Sequence, residues 1–363
     1  EWVFNNNSQM GVIGEGGENS PYTWFRQNAV GNPNVQWETV YKYNLGTEFR
    51  FFRGLIHGSV DWFRDNRVDI LMTSGRSVPS YYGANAPAAN LGRVETTGYE
   101  LMLGFNRILK NGIRVWGDFA MTHAIDQVIK RDDPLLRPDY QKQAGYQLGQ
   151  YRSHISAGYY NTWDELYGSP QHNTNDAAKL PGNYYIADFN GDGIVDDFDS
   201  APYGFSGVPQ NTYNTNVGIE WKGLSLFLQF YGVNNVTRDV ALGSLNGGLN
   251  LVYDEGTYWS KDNQEADSPL PRWRSQPSGF NYGPRYLFDG SYLRLKNAEI
   301  AYNFKPEFIS SFGMSNMRVY INGNNLLLWT KMPDDRESNF GGASWQGAYP
   351  TIRRINLGLN VTF

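Results

Sequence analysis

The sequence predicts an all-β protein whose strands form the wall of a membrane-spanning antiparallel barrel. Three observations carry this. Long segments alternate apolar and polar residues, composition is aromatic-rich without any helix-length apolar run, and tight turns alternate with long connections. Of 363 residues, 25 are Tyr, 20 Phe and 11 Trp, and the mean hydropathy is polar at -0.54. Helical membrane spans need about 18 or more consecutive apolar residues and are excluded. A barrel strand shows lipid only every second residue, so a polar average is compatible with one.

Taken in order, the first span, 36–52, sets Trp37, Thr39, Tyr41, Tyr43, Leu45, Thr47, Phe49 and Phe51 against Glu38, Val40, Lys42, Asn44, Gly46, Glu48 and Arg50, blurred only by Val40 and the threonines. The second, 54–72, follows the Gly-containing turn Phe52-Arg-Gly-Leu55. The third, 94–109, places Tyr99, Leu101, Leu103 and Phe105 on one parity. The fourth, 112–126, alternates more loosely from Ile113 to Met121, after the turn 107–112. Spans 210–222 and 223–235 form a hairpin about Trp221-Lys-Gly-Leu224, with Gly where positive φ is wanted. In the seventh, 286–304, the apolar phase slips from Leu293 and Leu295 to Ala298, Ile300, Tyr302 and Phe304, which predicts a β-bulge near Lys296. The eighth is 316–330. The ninth, 349–363, ends with Ile355, Leu357, Leu359, Val361 and Phe363 on one face and Arg354, Asn356, Gly358, Asn360 and Thr362 on the other.

Several of these spans run to about 15 residues, where a soluble strand has roughly five or six. With nine spans every short turn falls on one side, together with the carboxyl terminus. The connections 74–93, 125–208, 232–285 and 331–348 fall on the other, as extracellular loops do in outer-membrane barrels. A further spanning strand between 126 and 210 would break that parity, so the whole of 125–208 reads as an external excursion. An open nine-stranded sheet leaves edge amides without partners in hydrocarbon, so the rest of the wall must come from elsewhere. With no initiator Met and no signal peptide, the chain reads as a fragment or processed piece.

The zero cysteine count removes disulfides, thiolate metal sites and cysteine nucleophiles, and the net charge of -5 argues against a nucleic-acid surface. One constellation carries chemistry. In Asp188-Phe-Asn-Gly-Asp-Gly-Ile-Val-Asp-Asp-Phe-Asp199, oxygen ligands stand at positions one, three, five, nine and twelve, as Asp188, Asn190, Asp192, Asp196 and Asp199. Ile194 offers its carbonyl at position seven, and Gly193 sits at six. That is the spacing of an EF-hand calcium loop, except that Asp199 replaces the usual bidentate Glu. An acidic surface turn is the alternative; the spacing favours structural calcium that rigidifies the excursion. The aromatic side chains Trp259, Trp273, Tyr282, Tyr286, Trp345 and Tyr349 read either as ligand or lid contacts or as interfacial and loop packing. His57, His123, His154 and His172 have no short-spaced partner, and no nucleophile, base pair or cofactor motif points to an enzyme.

Ordered blocks from residue 31 to the end resemble the SusC/RagA class of TonB-dependent outer-membrane transporters. They are Gly31-Asn-Pro-Asn-Val-Gln-Trp-Glu38, Asn44-Leu-Gly46, Ser59-Val-Asp-Trp-Phe63, Asn90-Leu-Gly-Arg-Val-Glu-Thr-Thr-Gly-Tyr-Glu-Leu101, Asp188-Phe-Asn-Gly-Asp-Gly193, Gly290-Ser-Tyr-Leu-Arg-Leu-Lys-Asn-Ala-Glu299, Asn322-Gly-Asn-Asn-Leu326, and the end from Tyr349-Pro350 to Phe363. The resemblance implies a barrel of about 22 strands, of which residues 1–363 supply the carboxyl-terminal nine. It also implies a plug and a TonB-contacting segment, neither visible in this chain, and a SusD-like surface lipoprotein as lid. Its members import glycans or peptides, and the terminal aromatic strand resembles their barrel-assembly signal. Two other functions stand beside import: a barrel scaffold that docks lipoproteins or a secretion machine, and a secreted calcium-binding β-rich adhesion module.

Overall fold

The computed structural model describes residues 3–5, 26–29, 31–73, 87–172, 179–239, 257–266, 269–270, 287–332 and 351–363. Among these, nine strands form one sheet in chain order. They are β1 (Thr39–Phe51), β2 (Ile56–Thr73), β3 (Ala88–Ile108), β4 (Arg114–Lys130), β5 (Asn211–Trp221), β6 (Leu224–Asn234), β7 (Tyr292–Asn303), β8 (Asn316–Thr330) and β9 (Arg354–Thr362). Each is hydrogen-bonded to its neighbours in sequence. Because consecutive strands reverse direction, the short connections 52–55, 109–113, 222–223 and 304–315 share one end of the strands. The long connections share the other. At 222–223 the reversal needs two residues with positive φ, and Lys222 (49°) and Gly223 (89°) supply them.

Each span read from the sequence overlaps one of these strands, but the ends differ. β3 begins at Ala88 rather than 94. β4 continues to Lys130 rather than 126, because its extension finds partners in the excursion: Val128 N–H donates to Tyr146 O, and Gly145 N–H to Val128 O. The seventh span divides into a short strand at Leu287–Asp289, which pairs with Thr237–Asp239, and β7 proper. β9 begins at Arg354 rather than 349. The excursion strands pair only among themselves: Gln150–His154 with Ser200–Ser206, and Ser156–Tyr159 with Tyr184–Ile186.

Register turns one-dimensional alternation into two unlike faces. On one, Val115, Ile219, Leu226, Ile300, Ile321 and Leu357 form an aliphatic row across six strands. On the other, offset along each strand by an odd number of residues, lie Asp118, Asn216, Gln229, Asn297, Asn324 and Arg354. The aliphatic face is open: Ile300, Ile321 and Leu357 are 52%, 47% and 80% exposed. Leaving so continuous an apolar surface in water would be costly, whereas in a bilayer it needs no covering.

The register between β6 and β7 shifts at the predicted place. Gln229 faces Asn297 and Phe230 faces Leu295, which makes Lys296 the extra residue of the bulge. A second shift follows in β8, where the two residues Asn325 and Leu326 lie opposite Lys296, and Asn325 adopts φ 54°. The bulges keep Leu293, Leu295 and Ile300 on one face despite the odd spacing.

By packing, the chain divides into two units. One comprises 1–43, 64–97 and 126–148. Its described residues are held mainly by polar contacts, including Arg64 to Glu95 at 2.8 Å, Arg93 to Asn66 at 2.9 Å, and Asn90 to the carbonyls of Gln36 and Asp69. The other comprises 44–63, 98–125 and 149–363. Its buried clusters are small: Tyr184, Ile186 and Val195 with Tyr159 in the excursion, and Val233, Val236 and Tyr292 with Tyr231 and Leu328 beside β6 and β7.

Candidate calcium loop and polar wall face

The loop 188–199 is shaped by its own side chains. Asp188 Oδ1 accepts from the N–H groups of Gly191 (2.7 Å) and Asp192 (3.2 Å), and its Oδ2 from Gly193 (2.7 Å). Asn190 Oδ1 accepts from Asp192 N–H at 2.9 Å, and Asp192 Oδ1 from Ile194 N–H at 2.9 Å. These successive turns require positive φ at Gly191 (76°) and Gly193 (86°), where a side chain would be strained. Asp196 caps the following turn through Phe198 N–H.

Asp199 does something different. It is fully buried, and its Oδ1 accepts from the N–H groups of Phe189 (2.6 Å) and Asn190 (3.3 Å) while Oδ2 accepts from Asp196 (2.7 Å). The carboxylate therefore ties the start of the loop to its end. Parallel pairing of Ile194 and Val195 with Gln171 and His172, and the contact of His154 Nε2 with Asp196 O at 2.8 Å, anchor the loop to the excursion.

Among the described residues, no cluster of three or more His, Cys, Asp or Glu side chains is poised to hold a metal. The set expected here relies partly on the Asn190 amide oxygen and the Ile194 carbonyl. A carboxylate oxygen that accepts a single hydrogen bond keeps a second lone pair, so Asp188 Oδ2, which accepts only from Gly193, and the two Asp192 oxygens, which accept one each from Ile194 N–H and Asn190 Nδ2, retain capacity for a hard cation.

Trp259 is buried at 6% exposure, and its indole N–H donates to Asn161 Oδ1 at 2.9 Å. A Cβ on Gly182 would lie 2.4 Å from its ring, so the indole is packed inside the excursion's own structure. Trp273, Tyr282, Tyr286, Trp345 and Tyr349 lie outside the described residues. In the terminal strand, Ile355, Leu357, Leu359 and Phe363 are 57% to 86% exposed on the aliphatic side, and Val361 is half-buried there.

The polar face holds an arrangement that alternation did not reveal. An amide chain crosses four strands: Asn324 Nδ2 donates to Asn297 Oδ1, Asn297 Nδ2 to Gln229 Oε1, and Gln229 Nε2 to Asn214 Oδ1. Beside it, Asn356 donates to Asn322, and Arg318 pairs with Glu299. Trp116 and Phe227 stack with centroids 6.0 Å apart above Gly218. A Cβ there would stand 2.2 Å from the indole. The polar positions were visible in the sequence, but their alignment into rows needs the register.

The family model described as TonB dependent receptor-like, beta-barrel, matches residues 4–326. The chain belongs to this family. This receptor barrel is 26% identical to TonB-dependent receptor P3 of Formosa agariphila, an alignment that covers 92% of the chain and 35% of that relative. It is 21% identical to TonB-dependent receptor SusC of Bacteroides thetaiotaomicron, over 92% of the chain and 32% of the relative. The chain thus spans about a third of the length of the curated relatives it matches. In fold the receptor barrel is similar to the RagAB peptide transporter, with a TM-score of 0.70 at 20% identity over 99% of this chain and 38% of that one. It is similar also to the RagAB peptide importer in its open-open state, with a TM-score of 0.72 at 19% identity over 100% and 38%. The family is one of outer-membrane TonB-dependent receptor barrels.

Proposed function

We propose that this chain is the carboxyl-terminal wall of a TonB-dependent importer of large nutrients, glycans or peptides, that works with a SusD-like surface lipoprotein. The observation that carries the reading is the two-faced nine-strand meander with all its long connections at one end. Its aliphatic face meets lipid and its polar face lines a water-filled interior. The long connections then lie outside the cell, where a lipoprotein lid would sit, and the short turns and carboxyl terminus face the periplasm. Energy coupling belongs to a plug and TonB-contacting segment of the whole receptor.

Uptake of fluorescent oligopeptides and oligosaccharides by cells carrying or lacking the full-length receptor tests the proposal. Loss of uptake on deletion, and an equal loss when a protonophore collapses the membrane potential, is the expected result. Unchanged uptake in the deletion strain would leave a docking scaffold as the function.

Within the excursion, Asp188, Asn190, Asp192 and Asp196 with the Ile194 carbonyl would hold calcium, which would supply rigidity and no chemistry. Removing calcium with a chelator should expose the 179–200 segment to limited proteolysis in the wild type. Asp192→Ala should be cleaved as readily with or without chelator, and barrel insertion should be intact in both. Identical wild-type cleavage with and without chelator would show the loop to be self-supporting.

A further inference from the structure

Two aromatic levels bound the aliphatic face. Near the short turns, Trp221 and Tyr302 stand in one row with Leu224, Val319 and Leu359. Toward the long connections, Tyr213 and Trp329 stand in another with Gly232 and Leu293. From Tyr213 to Trp221 a strand rises about 26 Å, or roughly 20 Å along the membrane normal at a barrel's tilt. The apolar band of such a wall is about 25 Å tall, so roughly 5 Å of it remains to be covered, about two residues of tilted strand. Two residues beyond Tyr302 stands Phe304, on the same parity, where β7 gives way to the connection 304–315, the longest of the four at that end.

The apolar surface continues onto that connection. Pro306–Ile309 forms one helical turn, with Pro at its first position, and Ser310–Phe312 a tighter one that ends at Gly313 in the left-handed region (φ 72°). The rings of Tyr302 and Phe304 meet edge-on with centroids 4.9 Å apart, those of Phe304 and Phe308 stack at 5.9 Å, and those of Phe308 and Phe312 are tilted at 5.8 Å. Four rings thus make an unbroken ladder from the aliphatic face onto the turn. Phe308 and Phe312 are 56% and 62% exposed, whereas Ile309, the next residue round the helix, is buried. The backbone closes on itself: Phe308 N–H donates to Lys305 O at 3.0 Å, Gly313 to Ser310 O at 3.1 Å, Met314 to Ile309 O at 3.3 Å, and Ser315 to Thr362 O at 2.7 Å. The hydroxyls of Ser310 and Ser311 donate to the carbonyls of Glu307 and Phe308, at 3.5 and 2.8 Å. Unpaired backbone groups are what keep most loops out of lipid, and this turn has paired its own.

We infer that the connection 304–315 is an interfacial anchor, with Phe304, Phe308 and Phe312 lying against the acyl chains of the periplasmic leaflet just beneath its headgroups. The inference rests on the outer-membrane reading above. The occupant follows from continuity: the ladder starts at Tyr302 on the lipid-facing wall, and no polar residue interrupts it, so phospholipid that covers Tyr302 covers the rings beside it. In water the same exposed rings would be a costly patch, whereas a short amphipathic helical segment settles about 5–10 Å into the boundary between headgroups and acyl chains. Glu307 and Ser310, both exposed, lie on the other side of the helical turn, toward headgroups and water. Such a ladder fixes the depth of the wall, because sliding it toward the periplasm would carry the rings into water.

Photocrosslinking of the full-length receptor in native outer membranes tests this, with p-benzoylphenylalanine placed in separate variants at Phe308, Phe312, Glu307 and Ile300. The aromatic replacements Phe308→p-benzoylphenylalanine and Phe312→p-benzoylphenylalanine keep a ring in the ladder. After irradiation, peptides from both should gain the mass of a phospholipid, as should the peptide bearing position 300, which is 52% exposed in the middle of the aliphatic face. Position 307 should give far less of that adduct. Adducts to another polypeptide, or none, at positions 308 and 312 while position 300 takes up phospholipid would overturn the anchor and leave the membrane reading standing. Equal phospholipid labelling from position 307 would overturn the one-sided seating of the turn. Absence of phospholipid at position 300 as well would overturn the membrane reading along with the anchor.

Discussion

Replacing Leu228 with arginine is expected to destabilise the inserted barrel by about 2–4 kcal/mol, the cost of a cation at the midplane of a lipid-facing strand. Leu228 stands in the row Val217, Leu228, Ala298, Gly323 and Ile355, halfway between the two aromatic levels. Neither girdle is near enough for the side chain to reach headgroups without strain. The neighbouring change Gln229→Arg puts the same charge on the polar face. It breaks one link of the amide chain between Asn297 and Asn214 and should cost about 1 kcal/mol. Denaturant unfolding of the full-length receptor in lipid vesicles reads both. Equal losses would mean that the two faces do not meet different solvents, and the orientation of the whole sheet would have to be abandoned.

Asp199→Ala should unfold the 188–199 loop locally. The substitution leaves the N–H groups of Phe189, Asn190 and Asp196 without their buried acceptor. Hydrogen bonds to an ionised group contribute about 1.5–3 kcal/mol each, and their losses at one carboxylate are not independent, so about 3 kcal/mol is a fair expectation. That corresponds to roughly a hundredfold faster amide exchange in the loop. Asp199→Asn keeps one acceptor oxygen and should fall between. Insertion of the barrel should be unaffected, since the excursion strands pair with one another and not with the nine-stranded sheet. Unaltered exchange at Phe189 and Asp196 would show that the loop is held by something other than this carboxylate.

What could be read from the residues alone followed the range of each physical signal. Alternation is local, so β1, β3 and β9 were visible in their own sequences, the hairpin turn at Lys222 and Gly223 marked β5 and β6, and the phase slip at Lys296 betrayed its bulge. Strand ends were less legible, because β4 is prolonged by pairing with Gly145 and Tyr146, which are distant in the pattern. The row from Asp118 to Arg354 was not legible, since cross-strand neighbours depend on turn geometry and bulges at several places together. At the loop, the spacing of oxygen-bearing residues is a sequence property, but whether a carboxylate grips an ion or a backbone amide is not. Asp199 shows the difference, and Trp259 shows the same for an aromatic ring that pattern alone would offer to a ligand.

The paired bulges at Lys296 and Asn325 bear on how such a wall changes over evolutionary time. Inserting one residue into a regular strand exchanges every later side chain between lipid and water. From the row of Leu224 to that of Val233, β6 uses ten residues, β7 eleven and β8 twelve. Yet Leu293, Leu295 and Trp329 still meet the same solvent as Ile300 and Ile321. Length differences are confined to one kink, so these strands can drift in length between lineages without surrendering which residues face the membrane.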